Sequence, residues 1–265
     1  MTKIGLIAGG GTLPFEFLRS ARQKGHKVVL FALKEMADPE IEKEAAKTYW
    51  LDINQYAKFV FILFKENIKQ LAFLGKVKKH VVFQDGGDEE YKKGLGGLKD
   101  KKDSTIFQEI RSRLKIIGVE VIPGGQYLSH LLLQKGPLSK AVFGENGKRD
   151  VIMGYEAAKK MAEMDIGQTV IVKDGVIVAV EGIEGTDATI VRGRELGGPG
   201  CVMVKVARPR QDMGWDVPTV GPETMIKLME NGYSGIAVES GKMYLVEKER
   251  FVMMADAAGI VVEAL

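Results

Sequence analysis

The stretch Lys3-Ile-Gly-Leu-Ile-Ala-Gly-Gly-Gly-Thr-Leu-Pro14 decides the fold class of the first half of the chain. Ile4 to Ala8 is an apolar run too short for a helix, so it reads as a buried strand. Gly9-Gly10-Gly11 ends it, and a helical pattern runs from Leu13 to Lys24. Strand, glycine turn and helix in that order open a parallel α/β unit. The alternation continues outward. Val28 to Leu33 is a second strand, Tyr56 to Asn67 a helix with a broad apolar face, and Leu71 to Leu74 a third strand stopped by Gly75. Thr105 to Lys115 reads as a helix with Ser104 or Asp103 as N-cap, and Val119 to Ile122 as a strand ahead of Pro123-Gly124-Gly125. Gln84 to Lys102, rich in Gly, Asp, Glu and Lys, reads as a mobile or loosely helical excursion.

The second half changes character. A helix is expected from Val151 to Met164, then strands Thr169 to Val172 and Val176 to Val180 joined by Lys173-Asp174-Gly175. An Asp-Gly pair between two apolar runs supplies the positive φ angles of a tight hairpin. Val202 to Val206, Ile236 to Val238, Met243 to Val246 and Ile260 to Val262 read as strands. Pro222 to Asn231, stopped by Gly232, and Lys248 to Ala258 read as helices. The fold class expected is therefore α/β: an N-terminal Rossmann-like domain with a parallel sheet over residues 1–134, a linker over 135–150, and a C-terminal mixed α/β catalytic domain over 151–265.

Composition narrows the function. The 265 residues are 45% hydrophobic and 28% charged, ordinary values for a folded soluble protein. A net charge of +3 is too small to argue for nucleic acid. Lysines do cluster at Lys76, Lys78 and Lys79 and again at Lys99, Lys101 and Lys102; a solvated face competes there with a surface that meets phosphates or an anionic membrane. The single cysteine, Cys201, excludes an intramolecular disulfide and suits a reducing cytoplasm. No run approaches the roughly 20 apolar residues of a membrane span, so any membrane contact is peripheral.

Two places can carry chemistry. Backbone N–H groups of Gly9, Gly10 and Gly11 can meet a phosphate at the start of the following helix. A dinucleotide site is disfavoured, because Pro14 stands where the fingerprint needs a glycine and Lys34 ends the second strand where a ribose-binding acid belongs. His26, His80 and His130 lack ligand spacing and no Gly-x-Ser-x-Gly elbow occurs, so zinc or iron centres and serine hydrolases have no support. The second place is Glu181 to Gly221. Glu181, Glu184, Thr186 and Asp187 follow a strand, Thr186 or Asp187 being able to cap the next helix. Then come Lys205, Arg208-Pro209-Arg210-Gln211-Asp212 and Trp215-Asp216-Val217-Pro218-Thr219-Val220-Gly221. Carboxylates interleaved with cations suit Mg²⁺-assisted phosphate chemistry, although such a loop pair can also be plain solvated surface.

At these residues the sequence resembles the UDP-2,3-diacylglucosamine pyrophosphatases of lipid A biosynthesis, in the form unrelated to calcineurin-like phosphoesterases. The marks are Gly5 to Gly11 with Leu13-Pro14, Gly75-Lys76-Val77, Asp103, Asp165 to Gln168, Ala179-Val180-Glu181, Glu184 to Ala188, Lys205, Pro209, Gln211-Asp212 and Asp216 to Gly221. The resemblance implies hydrolysis of UDP-2,3-diacylglucosamine to 2,3-diacylglucosamine 1-phosphate (lipid X) and UMP with Mg²⁺. It also implies a cytoplasmic homodimer that visits the inner membrane face, with no nucleic-acid partner. It points to Asp216 as metal ligand or water activator, with Glu184 and Asp187 beside it and Asp187 as a second metal ligand. Gly9, Gly10, Gly11, Lys76, Thr186, Lys205 and Gln211 are the implied substrate contacts. Two positions depart from the family pattern: Arg208-Pro209 replaces a Lys-Pro pair, and Gly214 stands where an arginine is usual. Loss of that cation makes a non-catalytic nucleotide-sugar-binding or regulatory protein of the same fold the alternative.

Overall fold

The computed structural model describes residues 3–77, 103–209 and 217–265, with side chains from 107 onward in the middle stretch. The chain divides into two units, Met1–Leu128 and Ser129–Leu265.

In the first unit the apolar runs become strands β1 (Lys3–Ala8), β2 (Lys27–Leu33), β3 (Lys47–Leu51), β4 (Gln70–Leu74) and β5 (Glu120–Val121). They pair in the order β3-β2-β1-β4-β5, every pair parallel. Ile4, Leu6, Leu30, Phe31, Leu71 and Ala72 are buried, as a parallel sheet covered by helices requires. The helices are α1 (Leu13–Gln23), α2 (Tyr56–Lys65), α3 (Asp103–Ile116) and the single turn α4 (Gly125–Leu128). Phe17 of α1 lies 4.5 Å from the Tyr127 ring, and Phe59 of α2 meets Phe31 edge-on at 5.1 Å. Strand β3, Lys-Thr-Tyr-Trp-Leu, is an addition to the elements read from sequence. It is half-buried at the sheet edge, and its aromatic and β-branched content is the local signal for it. At its start, Glu66 (8% exposed) accepts from Lys47 Nζ at 2.6 Å, Tyr49 Oη at 2.5 Å and Lys3 Nζ at 3.3 Å. The excursion expected over residues 84–102 and the cap expected at Asp103 or Ser104 lie outside the described residues or side chains.

The second unit contains β6 (Gly136–Pro137), β7 (Thr169–Lys173), β8 (Val176–Val180), β9 (Val202–Lys205), β11 (Gly235–Val238) and β13 (Val261–Ala264), ordered β6-β13-β11-β9-β7-β8; β10 (Thr219–Val220) and β12 (Tyr244–Leu245) form a separate parallel pair. Strands β9, β11 and β13 run parallel, whereas β6, β7 and β8 are antiparallel to their neighbours. Helix α5 (Glu145–Glu163) covers one face, with Ala158 and Ala162 against Val170 and Val172. Its Gly154 comes so close to the sheet that a Cβ would lie 2.6 Å from Val204 Cγ2. Helices α6 (Thr186–Gly197), α7 (Pro222–Glu230) and α8 (Lys248–Ala258) cover the other face, with Ile190, Met225, Leu228, Phe251 and Ala255 against Ile171, Met203 and Ile236.

The hairpin between β7 and β8 has the expected chemistry. Asp174 and Gly175 both have positive φ (49° and 78°), and the buried Asp150 carboxylate accepts both of their N–H groups. Helix α5 starts earlier than its apolar pattern suggested. Gly144 is its N-cap, and the missing side chain of Gly147 leaves room for Phe143 over the first turn, 2.8 Å from where a Cβ would stand. Among the described residues no helix is long and apolar enough to cross a membrane.

Candidate active site

Antiparallel pairing of β7 with both β8 and β9 brings the start of β7, the end of β8 and the end of β9 to one edge of the second unit's sheet. Glu181 follows β8 there. Its N–H donates to the Thr169 carbonyl (2.8 Å), and its carboxylate accepts from Gln168 N–H (3.1 Å) and Thr186 Oγ1 (2.8 Å). Gly167 makes the approach possible, since a Cβ there would stand 2.1 Å from the Glu181 carbonyl oxygen. Thr186, first residue of α6, accepts in turn from Lys205 Nζ at 3.2 Å. An ammonium, a hydroxyl and a carboxylate are thus joined in one line at a helix start.

Gly185, with φ 83° and ψ 171°, is the N-cap of α6, and no side chain caps the helix. This corrects the expectation that Thr186 or Asp187 does so: the wide glycine angles turn the chain into the helix one residue earlier. The first-turn N–H groups of α6 therefore carry the partial positive charge of the helix start uncapped by a side chain. With Lys205 beside them, they suit an anion. Nearby, Gln168 Oε1 and Thr169 Oγ1 are buried without a hydrogen-bond partner among the described residues, which leaves polar capacity at this end of the sheet.

The other acidic residues of the loop do different things. Glu184 turns to the side of α6. Its carboxylate accepts from Gly182 N–H (3.1 Å), Thr189 Oγ1 (3.4 Å) and Arg192, whose guanidinium also reaches the Val180 carbonyl at 2.7 Å. Its own backbone N–H, then Arg192 and Gly182 N–H, hold the carboxyl below the usual range, against burial. Glu184 is therefore an anion at neutral pH and no proton donor. Asp187, in the first turn of α6, is exposed. Asp216 and Gln211 lie outside the described residues.

In the first unit, Gly9 N–H donates to the Leu74 carbonyl, Gly10 N–H to the Lys76 carbonyl, and Lys76 N–H back to the Gly10 carbonyl at 2.7 Å. A Cβ on Gly9 would stand 2.4 Å from the Lys76 oxygen. The close approach of Gly9 and Gly10 is therefore to the chain itself. Gly11, with φ 94° and nothing within 4 Å of a built Cβ, faces open space, and the Lys76 side chain is exposed.

Of the residues picked from sequence, the structure joins Thr186 and Lys205 directly and links Glu184 to Arg192 instead. Glu181, the junction, was legible only as one acid among several after a strand. A magnesium ion takes oxygen ligands, one or two carboxylates often sufficing with substrate phosphates. Both oxygens of Glu181 and of Glu184 are held by protein donors, and among the described residues no group of three or more acidic, His or Cys side chains is arranged to hold a metal ion. The described residues therefore do not by themselves make a metal cage.

Residues 3–131 match the family model described as the LpxI N-terminal domain, and residues 134–263 that of the LpxI C-terminal domain. The chain is similar to the UDP-2,3-diacylglucosamine pyrophosphatase LpxI of Caulobacter vibrioides, with 27% identity across 99% of this chain and 97% of that protein. Among solved structures, Staphylococcus aureus N5-carboxyaminoimidazole synthetase complexed with ADP matches at 14% identity and TM-score 0.30, covering 64% of this chain and 32% of that one. A biotin carboxylase complex from Campylobacter jejuni matches at 12% identity and TM-score 0.29, covering 74% of this chain and 42% of that one. The chain spans about a third to two fifths of these structures, and likeness at this level carries no argument.

Proposed function

The chain belongs to the LpxI family, and from that premise we propose that it is a hydrolase that cleaves the pyrophosphate of UDP-2,3-diacylglucosamine, releasing 2,3-diacylglucosamine 1-phosphate and UMP in lipid A biosynthesis. The observation that supports this at the site is the Lys205–Thr186–Glu181 line at the start of α6. Lys205 and the first-turn N–H groups of α6 bind and orient a phosphate, while Glu181 fixes the Thr186 hydroxyl that lies between them. Asp216 is the proposed water-activating and metal-holding residue, with Asp187 as a second proposed metal ligand and Glu184 as a further proposed catalytic group. Mg²⁺, when bound, supplies charge neutralisation at the phosphates. Gly11, Lys76 and Gln211 are proposed substrate contacts, Gly9 and Gly10 acting through the turn they shape. The same reading has the enzyme working as a cytoplasmic homodimer against the inner membrane face.

The test is direct. Purified protein with UDP-2,3-diacylglucosamine, detergent and Mg²⁺ releases UMP, and Asp216→Ala lowers the rate by at least about 100-fold with an unchanged melting temperature. Tight binding of the UDP-sugar without turnover would refute catalysis and favour a binding protein, the reading prompted by Gly214.

A further inference from the structure

Strand β9 ends at Lys205, and beyond it side chains take over from the sheet ladder. Glu239 follows β11, which pairs with β9 so that Val238 stands beside Lys205. The Glu239 N–H donates to the Lys205 carbonyl at 3.1 Å, and its carboxylate accepts the Ala207 N–H at 2.9 Å. From α5, Lys159 Nζ donates to the Ala207 carbonyl at 3.3 Å and to both Glu239 oxygens at 3.1 Å. Glu239 is 6% exposed. Lys242 Nζ reaches its Oε1 at 3.1 Å from the solvent side. The residues on either side of Ala207 are tethered too: Val206 N–H donates to the Gln168 carbonyl at 3.0 Å, and Arg208 Nε pairs with Asp165 at 2.8 Å.

An ion pair built on a buried carboxylate is more than two backbone groups need. A neutral acceptor would satisfy the Ala207 N–H, and taking a carboxylate out of water is unfavourable. Burial acts against the Glu239 charge, yet Ala207 N–H, Lys242 and Lys159 keep its carboxyl below the usual range. The Tyr155 phenol is pushed up by burial and by the Glu239 charge, against Lys242, and stays neutral.

We propose that the Lys159–Glu239 pair is a positioning device for the hydrolysis: by holding both backbone polar groups of Ala207, it sets where Lys205 stands and how the chain leaves β9. The proposal rests on the functional reading above, through Lys205. Neither residue touches substrate. Their effect passes through the backbone of residues 205–207 to the ammonium that meets the phosphate, so misplacement acts on the rate more than on affinity.

Steady-state UMP release by the full chain and hydrogen exchange of peptides spanning residues 203–209 test this with K159M, E239A and K242M. K159M, folded by circular dichroism and assayed well below its melting temperature, loses about 10- to 100-fold in kcat with KM within about threefold, and exchanges faster at residues 206–207. K242M, which leaves Ala207 held, stays within about threefold of wild type. A K159M kcat within threefold despite faster exchange would make the pair merely structural and overturn the proposal, as would a K242M loss as large as that of K159M. Should K159M fail to fold, E239A reads the same split, since it removes the acceptor of the Ala207 N–H and the carboxylate that Lys159 pairs with. Absence of hydrolysis by the wild-type chain would sink the functional reading instead; unchanged exchange at residues 206–207 in K159M would then overturn the positioning role by itself.

Discussion

Gly167→Ala is the sharpest perturbation the structure offers. The new Cβ would lie 2.1 Å from the Glu181 carbonyl oxygen and 2.8 Å from its carbonyl carbon. Both are backbone atoms, so no rotamer change relieves the clash, and the two segments must separate by about 1 Å. That displacement breaks two short bonds, Gln168 N–H to the Glu181 carboxylate (3.1 Å) and Glu181 N–H to the Thr169 carbonyl (2.8 Å). Overpacking of this kind destabilises by about 1–3 kcal/mol, and each lost bond adds about 0.5–1.5 kcal/mol. The sum is about 2–6 kcal/mol. At about 4 °C per kcal/mol for a unit of this size, the melting transition of the second unit falls by about 8–24 °C in scanning calorimetry. Because Glu181 also holds Thr186, UDP-sugar binding weakens at temperatures where the variant is still folded. A Tm within about 2 °C of wild type would refute both the packing and the claim that Gly167 is there to admit Glu181.

Two further predictions concern titratable groups. Glu66 is bonded by Lys47, Tyr49 and Lys3, which together lower its carboxyl from 4.5 to about 2 against burial. The unfolded chain therefore binds more protons than the folded one between those values, so stability present above about pH 4.5 is lost as pH falls towards 2. In acid titrations followed by circular dichroism, E66Q is less stable at pH 7 and shows a flatter loss; an unchanged profile would show that the cluster contributes nothing. Cys201 is fully buried, and burial raises its thiol. Native protein at pH 8 is expected to resist thiol reagents that label it fully in denaturant, and stoichiometric labelling within minutes would contradict the burial.

The elements of this protein were largely legible because their signals are local. Short apolar runs broken by glycine produced the parallel strands of the first unit, Asp174-Gly175 the hairpin, and Gly232, with φ 63°, the stop of α7. The charged, glycine-rich loop after β8 also stood out by composition as a place where carboxylates and a helix start meet. Which partner each residue takes was decided only in the fold. Gly9 and Gly10 carry the sequence of a phosphate turn, yet their N–H groups meet the carbonyls of Leu74 and Lys76, because parallel pairing of β1 with β4 brings those residues alongside. Glu181 and Glu184 look alike in sequence, but one joins Thr186 and Lys205 while the other joins Arg192. Lys159 and Glu239 stand 80 residues apart, and no pattern predicts their pairing. Periodicity and turn chemistry depend on neighbours a few residues away. The partners of polar groups at strand ends depend on which strands lie side by side, and that is a property of the folded chain.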